Sequence, residues 1–229
     1  MPTRKIILES NIVNDKYTEY VYSAYDIQNN EKTITEIPTI PMEELKTFNW
    51  NIGVILGNSG SGKSTLLKHI GNLKEPTYDF SKCIISQFPQ LSEKEVTELF
   101  CSVGLSSVPT WLRKPNELSN GEKARLDLCW LLANYGDNEI ILCDEFSSVV
   151  NRMAAHSMSY ALQRFVRKYN KKIILASCHF DIVEWLRPDW IFNLNKEGEI
   201  ERLIYKDDEE YQPYNNINLK DVLSESERI

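Results

Sequence analysis

The chain has 229 residues, of which 42% are hydrophobic and 26% charged, and a formal net charge of −7. This composition is ordinary for a soluble globular protein, and the length allows one large α/β domain or two small ones. No apolar run approaches the roughly eighteen residues of a membrane helix, and the N-terminus shows no apolar signal segment. The acidic balance disfavours a broad nucleic-acid surface. The five cysteines are widely spaced, which predicts reduced thiols in a cytoplasmic protein and not disulfides or a CxxC metal site.

The first fifty residues predict an antiparallel β layer. Residues 4–9, 18–25 and 33–37 run or alternate apolar in the manner of strands, and polar turn residues separate them. Pro38 and Pro41 then interrupt the pattern, so the layer is expected to end there.

A glycine-rich loop between a strand and a helix follows this layer. Residues 52–56 form a short apolar strand, and the helix after the loop is expected to end near Gly71. In this context backbone N–H groups cradle phosphate oxygens, a lysine reaches the β- and γ-phosphates, and a serine ligates Mg²⁺. A chance match in a glycine-rich turn is the alternative, which the flanking strand and helix disfavour. The nucleotide-binding candidates are Gly57, Asn58, Ser59, Gly60, Ser61, Gly62, Lys63, Ser64 and Thr65.

Strands and helices alternate through the rest of the chain, which predicts a mainly parallel sheet. A short strand at 83–86 is expected to end at Gln87, and Ser92 begins a helix whose first turn reads as a capping box. A further helix opens at Ser119 and ends near Gly136. The remaining predicted elements are a strand at 139–143, a helix at 152–168, a strand at 172–176, a short helix at 181–186, a strand at 190–194 and a hairpin around Gly198.

Five motifs occur in a fixed order along this pattern. They are GNSGSGKST at 57–65, Gln87, LSNGE at 118–122, IILCDE at 140–145, and His179. Apart from the first, each motif is weakly specific alone. Together they resemble the ATP-binding cassette (ABC) ATPases, with a Walker A loop, Q-loop, signature, Walker B strand and switch histidine. The resemblance covers about residues 50–195.

A narrower resemblance rests on residues 144–150 and 177–181. These stretches read DEFSSVV and SCHFD, and they are similar to a stand-alone soluble group of ABC ATPases. In some bacterial relatives of that group the domain is joined to a predicted acetyltransferase.

The resemblance implies an α/β P-loop NTPase fold of ABC type, with a mainly parallel sheet flanked by helices, the antiparallel N-terminal β layer and a reduced helical subdomain. The implied ATPase domain spans residues 1–205, and an acidic tail follows at 206–229. Within the domain the expected parts are the β layer at 1–49, a RecA-like core at 50–90 and 137–205, and a short helical segment carrying the signature at 91–136.

The same resemblance implies hydrolysis of ATP to ADP and phosphate with Mg²⁺ as cofactor. Asp144 at the end of its strand would hold Mg²⁺ together with Ser64 and Gln87, and Gln87 could also reach the attacking water. Glu145 would act as general base. His179 would donate a hydrogen bond to the γ-phosphate, and Lys63 would stabilise the phosphates during transfer.

Ser119 and Gly121 act in trans in this family, where the signature helix of one subunit caps the γ-phosphate bound by the other. The resemblance therefore implies an ATP-dependent homodimer. Three positions depart from the family pattern: Asn120 stands for glycine, Glu122 for glutamine, and Asn151 for the aspartate of the D-loop, the segment after the Walker B glutamate. The last change puts in doubt how this loop couples the two nucleotide sites.

Each candidate also has a purely structural interpretation. Asp144 and Glu145 could form a solvated loop, His179 could cap a helix, and Ser119 serves as an N-cap in either case. The order of the motifs favours the functional interpretation of the set. The aromatic residue that stacks on adenine is left open among Tyr20, Tyr22, Tyr25 and Phe48.

Three uses of such an ATPase compete. They are a switch in a defence, phage or DNA-maintenance process, the nucleotide-binding subunit of a transporter, and an ATP-gated binding module that scarcely turns over. The short segment between Gln87 and Ser119 disfavours a transporter subunit, and the chain shows no membrane segment of its own.

A basic cluster at 164–172 indicates either a patch for nucleic acid or a solvated helix end, of which the second is favoured. The identity of a protein or nucleic-acid partner is left open.

Overall fold

The computed structural model describes residues 5–28, 32–136, 138–195 and 200–202. The predicted tail at 206–229 and the turn at Gly198 lie outside these residues. The strands are β1 (Lys5–Asn11), β2 (Lys32–Pro38), β3 (Ile52–Leu56), β4 (Ile140–Cys143), β5 (Lys172–Ser177), β6 (Trp190–Asn193) and β7 (Ile200–Arg202). The helices are α1 (Lys16–Ala24), α2 (Met42–Leu45), α3 (Lys63–Ile70), α4 (Glu93–Ser102), α5 (Val108–Trp111), α6 (Asn120–Asn134), α7 (Arg152–Lys168) and α8 (Ile182–Leu186).

A five-stranded sheet in the order β4-β5-β3-β6-β7 forms the centre of the fold. The first four strands in this order are parallel, and β7 pairs antiparallel with β6. Val54 of β3 lies opposite Leu175 on one side and Ile191 on the other. All of β3 is buried, as expected for a central parallel strand covered on both faces. The predicted sheet, mainly parallel and flanked by helices, is confirmed.

Alternate residues of β3 divide the core into two layers. Ile52, Val54 and Leu56 belong to one cluster, which also contains the buried faces of α4, α6 and α7. Ile55 belongs to the other, together with Trp190 and the apolar residues of α3. Successive strand residues point to opposite faces of a sheet, so a single strand carries the phosphate loop and joins both layers.

Gly53 leaves room for the indole of Trp190, and we predict that Gly53→Ala destabilises the fold. A Cβ at this position would collide with the Trp190 ring, which also packs edge-on against Trp50 with ring centroids 5.5 Å apart. Overpacking of this kind costs about 2–3 kcal/mol. Urea denaturation checks the loss. Gly71→Ala is the control, because its Cβ would meet only a Leu142 methyl at 3.3 Å. Equal unfolding midpoints for the two variants would contradict the prediction.

The N-terminal layer is a two-stranded ribbon and not the three strands expected. β1 and β2 pair antiparallel, with Lys5 opposite Pro38 and Asn11 opposite Lys32. The predicted strand at 18–25 is wrong, because these residues fall mainly in α1. The Asp15 carboxylate accepts hydrogen bonds from the N–H groups of residues 17 and 18, and the N–H of Asp15 donates to Thr18 Oγ1 at 2.8 Å. This capping box outweighs the strand preference of the tyrosines and valine that follow.

The predicted strand at 83–86 is also wrong. Residues Ile84–Gln87 form a 3₁₀ turn, and the N–H of Ile84 donates to the carbonyl of Arg113 at 2.9 Å. The apolar pair Ile84–Ile85 therefore packs under the helical segment and does not enter the sheet.

The helices predicted from capping signals are confirmed. Ser92 caps α4 in a box with Glu95, and Ser119 caps α6 in the same way with Glu122. The helix predicted at 152–168 without a capping signal is also confirmed, and its N-cap is Asn151. In the described residues no helix is both long enough and apolar enough to cross a membrane.

Candidate functional site

The phosphate loop joins the carboxyl end of β3 to the first turn of α3. Gly60 and Gly62 have φ angles of 79° and 93°, in the left-handed region that favours glycine. A side chain on Gly62 would also meet Ile37 of β2 at 2.5 Å. Around Gly60 a Cβ would meet nothing within 4 Å, so the loop is open on that side. Ser64 and Thr65 lie in the first turn of α3, where helical N–H groups lack intrahelical partners.

Lys63 lies against this loop with only 8% of its surface exposed. Its Nζ donates to the carbonyl oxygens of Gly57 at 2.8 Å and Asn58 at 2.7 Å. No ion pair joins it to a carboxylate in the described parts of the chain. An ammonium group has three donors, so one donor and the full charge remain for an anion at the loop. Ser61 contributes a buried Oγ that has no partner within the described residues, which also fits a loop built around a polar ligand.

Asn195 lies just after β6 and holds the phosphate loop. The sequence analysis did not identify this residue. Its Nδ2 donates to Asn58 Oδ1 at 3.3 Å, and its Oδ1 accepts from the N–H of Asn58 at 3.4 Å. The N–H of Leu194 donates to the carbonyl of Leu56 at 2.8 Å. These contacts fix the start of the loop to the end of β6. An asparagine after a short strand carries no sequence signal for this role.

Asp144 and Glu145 follow the last residue of β4. β5 separates β4 from β3, so the carboxylates lie at the same edge of the sheet as the phosphate loop, because the carboxyl ends of parallel strands share an edge. Asp144 is half-buried, and its Oδ1 accepts from the N–H of Glu145 at 2.9 Å. Glu145 is exposed and has a φ of 55°. This φ lies in the left-handed region, which few non-glycine residues adopt.

His179 is held by the D-loop through residues that sequence reasoning missed. Its Nδ1 lies 3.0 Å from Ser147 Oγ, and its backbone N–H donates to Ser177 Oγ at 3.1 Å. Ser177 Oγ in turn donates to the carbonyl of Phe146 at 2.9 Å. The ends of β4 and β5 are therefore joined by a continuous hydrogen-bonded network that includes the histidine.

The signature residues lie at the start of α6. Ser119 Oγ donates to Glu122 Oε2 at 2.8 Å, and the N–H of Ser119 donates to the same oxygen at 2.8 Å. The bond from the Ser119 N–H is the main cause that lowers the pKa of Glu122, and the bond from the Ser119 hydroxyl is the second. The positive charge of Arg113 lowers this pKa further. The Glu122 carboxylate is therefore fully charged at neutral pH. It occupies the position that glutamine has in the family pattern.

Gly121 of the signature lies against the D-loop of the same chain. A Cβ there would meet the carbonyl oxygen of Val149 at 3.4 Å and a Val150 methyl at 3.5 Å. Asn151, which stands in the place of the family aspartate, caps α7 by accepting from the N–H of Ala154 at 2.8 Å. In the described residues no hydrogen bond joins Ser119 or Gly121 to the phosphate loop. Within its own chain the signature therefore packs against the D-loop at Gly121.

The structure does not direct Gln87 at the phosphate loop. Its Oε1 accepts from the N–H of Asp79 at 2.9 Å, and its Nε2 donates to the carbonyls of Asp79 at 2.8 Å and Lys82 at 3.2 Å. The amide closes the loop at 79–83. Its proposed contacts with Mg²⁺ and water stay a prediction that requires this loop to open.

We predict that Gln87→Ala destabilises the fold by about 1 kcal/mol, because the backbone of Asp79 loses both partners. Urea denaturation measures this change. Gln90→Ala is the control, since Gln90 is an exposed glutamine three residues further along the chain. A Gln87→Ala protein with unchanged stability but lost turnover would contradict the structural role and favour the predicted catalytic one.

The four candidates for stacking on adenine lie in different environments. Tyr20, Tyr22 and Tyr25 lie in or directly after α1, which contains no buried residue. Phe48 is partly buried, and the guanidinium of Arg202 lies 4.0 Å from its ring centroid.

The donor set fits Mg²⁺ held mainly by phosphate oxygens and water. Among the described residues no group of three or more histidine, cysteine or acidic side chains could hold a metal ion by itself. Mg²⁺ in nucleotide sites takes one or two protein oxygens and the substrate phosphates. Ser64 and Asp144 are oxygen donors at the correct edge of the sheet, so the residues fit this cofactor.

Comparisons with known proteins agree with this arrangement. No family model matches the chain. It is 25% identical over 206 residues to the lipoprotein-releasing system ATP-binding protein LolD of Protochlamydia amoebophila, covering 70% of this chain and 89% of LolD. It is 26% identical over 207 residues to the methionine import ATP-binding protein MetN 1 of Pseudomonas fluorescens. That match covers 69% of this chain and 61% of MetN 1, so the chain spans less than two thirds of this relative.

Solved structures show the same fold. The dimeric post-hydrolysis state of the ATP-binding cassette MJ0796, bound to ADP and Pi, has a TM-score of 0.55 and 18% sequence identity. The match covers 79% of this chain and 95% of that chain. A second dimeric structure of MJ0796, described as a bacterial ABC transporter cassette, has a TM-score of 0.53. The chain therefore has the fold of the ATP-binding cassette ATPases and is related in sequence to their ATP-binding subunits.

Proposed function

We propose that the chain binds Mg-ATP at residues 57–65 and hydrolyses it to ADP and phosphate. The observation that carries this proposal is the phosphate loop itself. Its two left-handed glycines and the nearly buried Lys63, whose Nζ donates to two loop carbonyl oxygens, form a preorganised site for polyphosphate. Acidic and histidine side chains end the neighbouring strands at the same edge.

Each residue at this edge has a chemical role in the proposal. Lys63 neutralises the β- and γ-phosphates. Ser64 and Asp144 would hold Mg²⁺, which when bound supplies positive charge to the phosphate oxygens. Glu145 is exposed and accepts a proton from the attacking water. His179 donates a hydrogen bond to the γ-phosphate as negative charge moves during transfer.

The proposal includes a homodimer in which two chains enclose two ATP molecules. Gly121 packs against the D-loop of its own chain, and in the proposed dimer the start of α6 faces a nucleotide on the second copy. The dimeric MJ0796 cassettes support this arrangement by analogy of fold. The Ser119 hydroxyl would exchange its bond to Glu122 for one to the γ-phosphate.

Two uses of the ATPase are proposed. The first is a cytoplasmic switch in a defence, phage or DNA-maintenance process, supported by the resemblance of residues 144–150 and 177–181 to the stand-alone group with acetyltransferase-joined relatives. The second is the ATP-binding subunit of a transporter. It is supported at least as well, because LolD and MetN 1 are named as a lipoprotein-releasing system protein and a methionine import protein.

An exposed apolar surface in and beside the helical segment favours the transporter use. Phe80 is 57% exposed, Val108 57% and Leu112 69%. Cys83 Sγ donates to the carbonyl of Leu112 at 2.9 Å, which ties the two loops that carry these side chains. Contiguous exposed apolar patches mark partner surfaces, and we propose that these side chains form one. The basic cluster at 164–172 gives the nucleic-acid use less support, because Arg167 pairs with Asp189 and Lys168 pairs with Glu98.

Phosphate release from ATP by the purified chain tests the activity, and fluorescence of a labelled ATP analogue tests binding separately. Binding without release would favour the non-catalytic module. Stimulation of turnover by duplex DNA would favour the first use. Co-sedimentation with membranes that Leu112→Glu abolishes would favour the second. Failure of both release and binding would refute the proposal.

A further inference from the structure

Ser147 lies in an unusual place for a loop serine. It is only 5% exposed, and its φ of 68° is in the left-handed region. Such a conformation costs a non-glycine residue on the order of 1 kcal/mol and persists where surrounding contacts determine it. Here the preceding residue supplies two such contacts. The N–H of Phe146 donates to the carbonyl of Ala176 at 2.9 Å, and its carbonyl accepts from Ser177 Oγ.

The surroundings of Ser147 Oγ indicate where its proton goes. Two acceptors are within reach, His179 Nδ1 at 3.0 Å and Ser177 Oγ at 3.5 Å. Ser177 Oγ already accepts from the N–H of His179 and donates its own proton to Phe146. The shorter contact is the stronger one. Donation from Ser147 to Nδ1 therefore satisfies the buried hydroxyl better than donation to Ser177.

A neutral imidazole that accepts at Nδ1 carries its proton on Nε2. We propose that Ser147 is a positioning residue for His179: its hydroxyl donates to Nδ1 and holds the ring with Nε2–H as the remaining donor. The consequence for catalysis rests on the proposed function, in which this donor binds the γ-phosphate. The consequence for the tautomer does not depend on ATP hydrolysis.

Long-range ¹H–¹⁵N NMR of the histidine rings tests the tautomer directly. The chain has three histidines, so His179→Ala assigns the signals. We expect the neutral His179 ring to carry its proton on Nε2 in the unmodified chain and in Ser147→Thr. Ser147→Ala should show a mixture of tautomers. A proton on Nδ1 in the unmodified chain, or an unchanged ring in Ser147→Ala, would overturn the proposal.

Steady-state kinetics test the positioning role. Ser147→Ala should lower kcat about tenfold with KM and binding of the labelled analogue unchanged, and Ser147→Thr should restore kcat. In the His179→Ala background Ser147→Ala should have no further effect, because the serine acts through the histidine. An equal loss of kcat in both backgrounds would refute this.

Ser106→Ala is the control for the loss of a serine hydroxyl. Ser106 is exposed between α4 and α5, so kcat and the His179 signals should not change. Absence of turnover in the unmodified chain would refute the proposed function, whereas the NMR result would still decide the role of Ser147.

Discussion

Lys63→Ala is expected to lower ATP turnover by about a thousandfold and to abolish binding of a labelled ATP analogue at micromolar concentration. The Nζ of Lys63 donates to two loop carbonyls and has no carboxylate partner in the described chain. Its charge is therefore available to the phosphates, and removal of one such preorganised donor costs about two to three orders of magnitude in rate.

Lys68→Ala controls for the loss of a lysine from the same helix. Lys68 is exposed on α3, so its replacement should leave binding and turnover unchanged. Urea denaturation distinguishes a local effect from unfolding, because Lys63→Ala also removes the partner of the Gly57 and Asn58 carbonyls. Normal binding by a folded Lys63→Ala protein would show that the nucleotide does not use this loop.

Glu145→Gln is expected to keep ATP binding and lose hydrolysis by about a hundredfold to a thousandfold. The amide preserves the size of the side chain but cannot accept a proton from water. Because the bound ATP then persists, the molar mass measured by light scattering should rise from 26.6 kDa to twice that value with Mg-ATP, and should not rise with Mg-ADP.

Glu75→Gln serves as the charge-matched control, since Glu75 is exposed in the loop after α3. It should hydrolyse ATP normally and stay monomeric at steady state. Normal turnover by Glu145→Gln would remove Glu145 as the general base. An unchanged mass with both nucleotides would contradict the homodimer and favour a partner that supplies the second half of the site.

Local signals made the core of the fold predictable. The continuous apolar run of β3, the caps at Ser92 and Ser119, and the amphipathic pattern of α7 each specify an element through contacts a few residues apart. The segment at 18–25 failed because strand-forming residues follow a strong cap at Asp15. The strand predicted at 83–86 is wrong because a backbone hydrogen bond to residue 113 fixes the conformation of this segment. The neighbouring residues in the sequence give no sign of such a distant bond.

The sequence predicts the motifs of the candidate site but not the hydrogen bonds that join them to distant segments. The order of motifs indicates Lys63, Asp144, Glu145 and His179, whose backbones the sheet brings to one edge. The bonds from Ser147 to His179 and from Asn195 to Asn58 join segments distant in sequence. Serine and asparagine are common in loops, so nothing in their immediate neighbours distinguishes these from solvated side chains.

Ile37 occupies the space that a side chain on Gly62 would need, and this contact joins the β1–β2 ribbon to the phosphate loop. The ribbon therefore packs directly against the loop at that point. Thermodynamic linkage then requires reciprocity. If a ligand bound at the ribbon changes the affinity of the loop for nucleotide by some factor, the nucleotide changes the affinity for that ligand by the same factor.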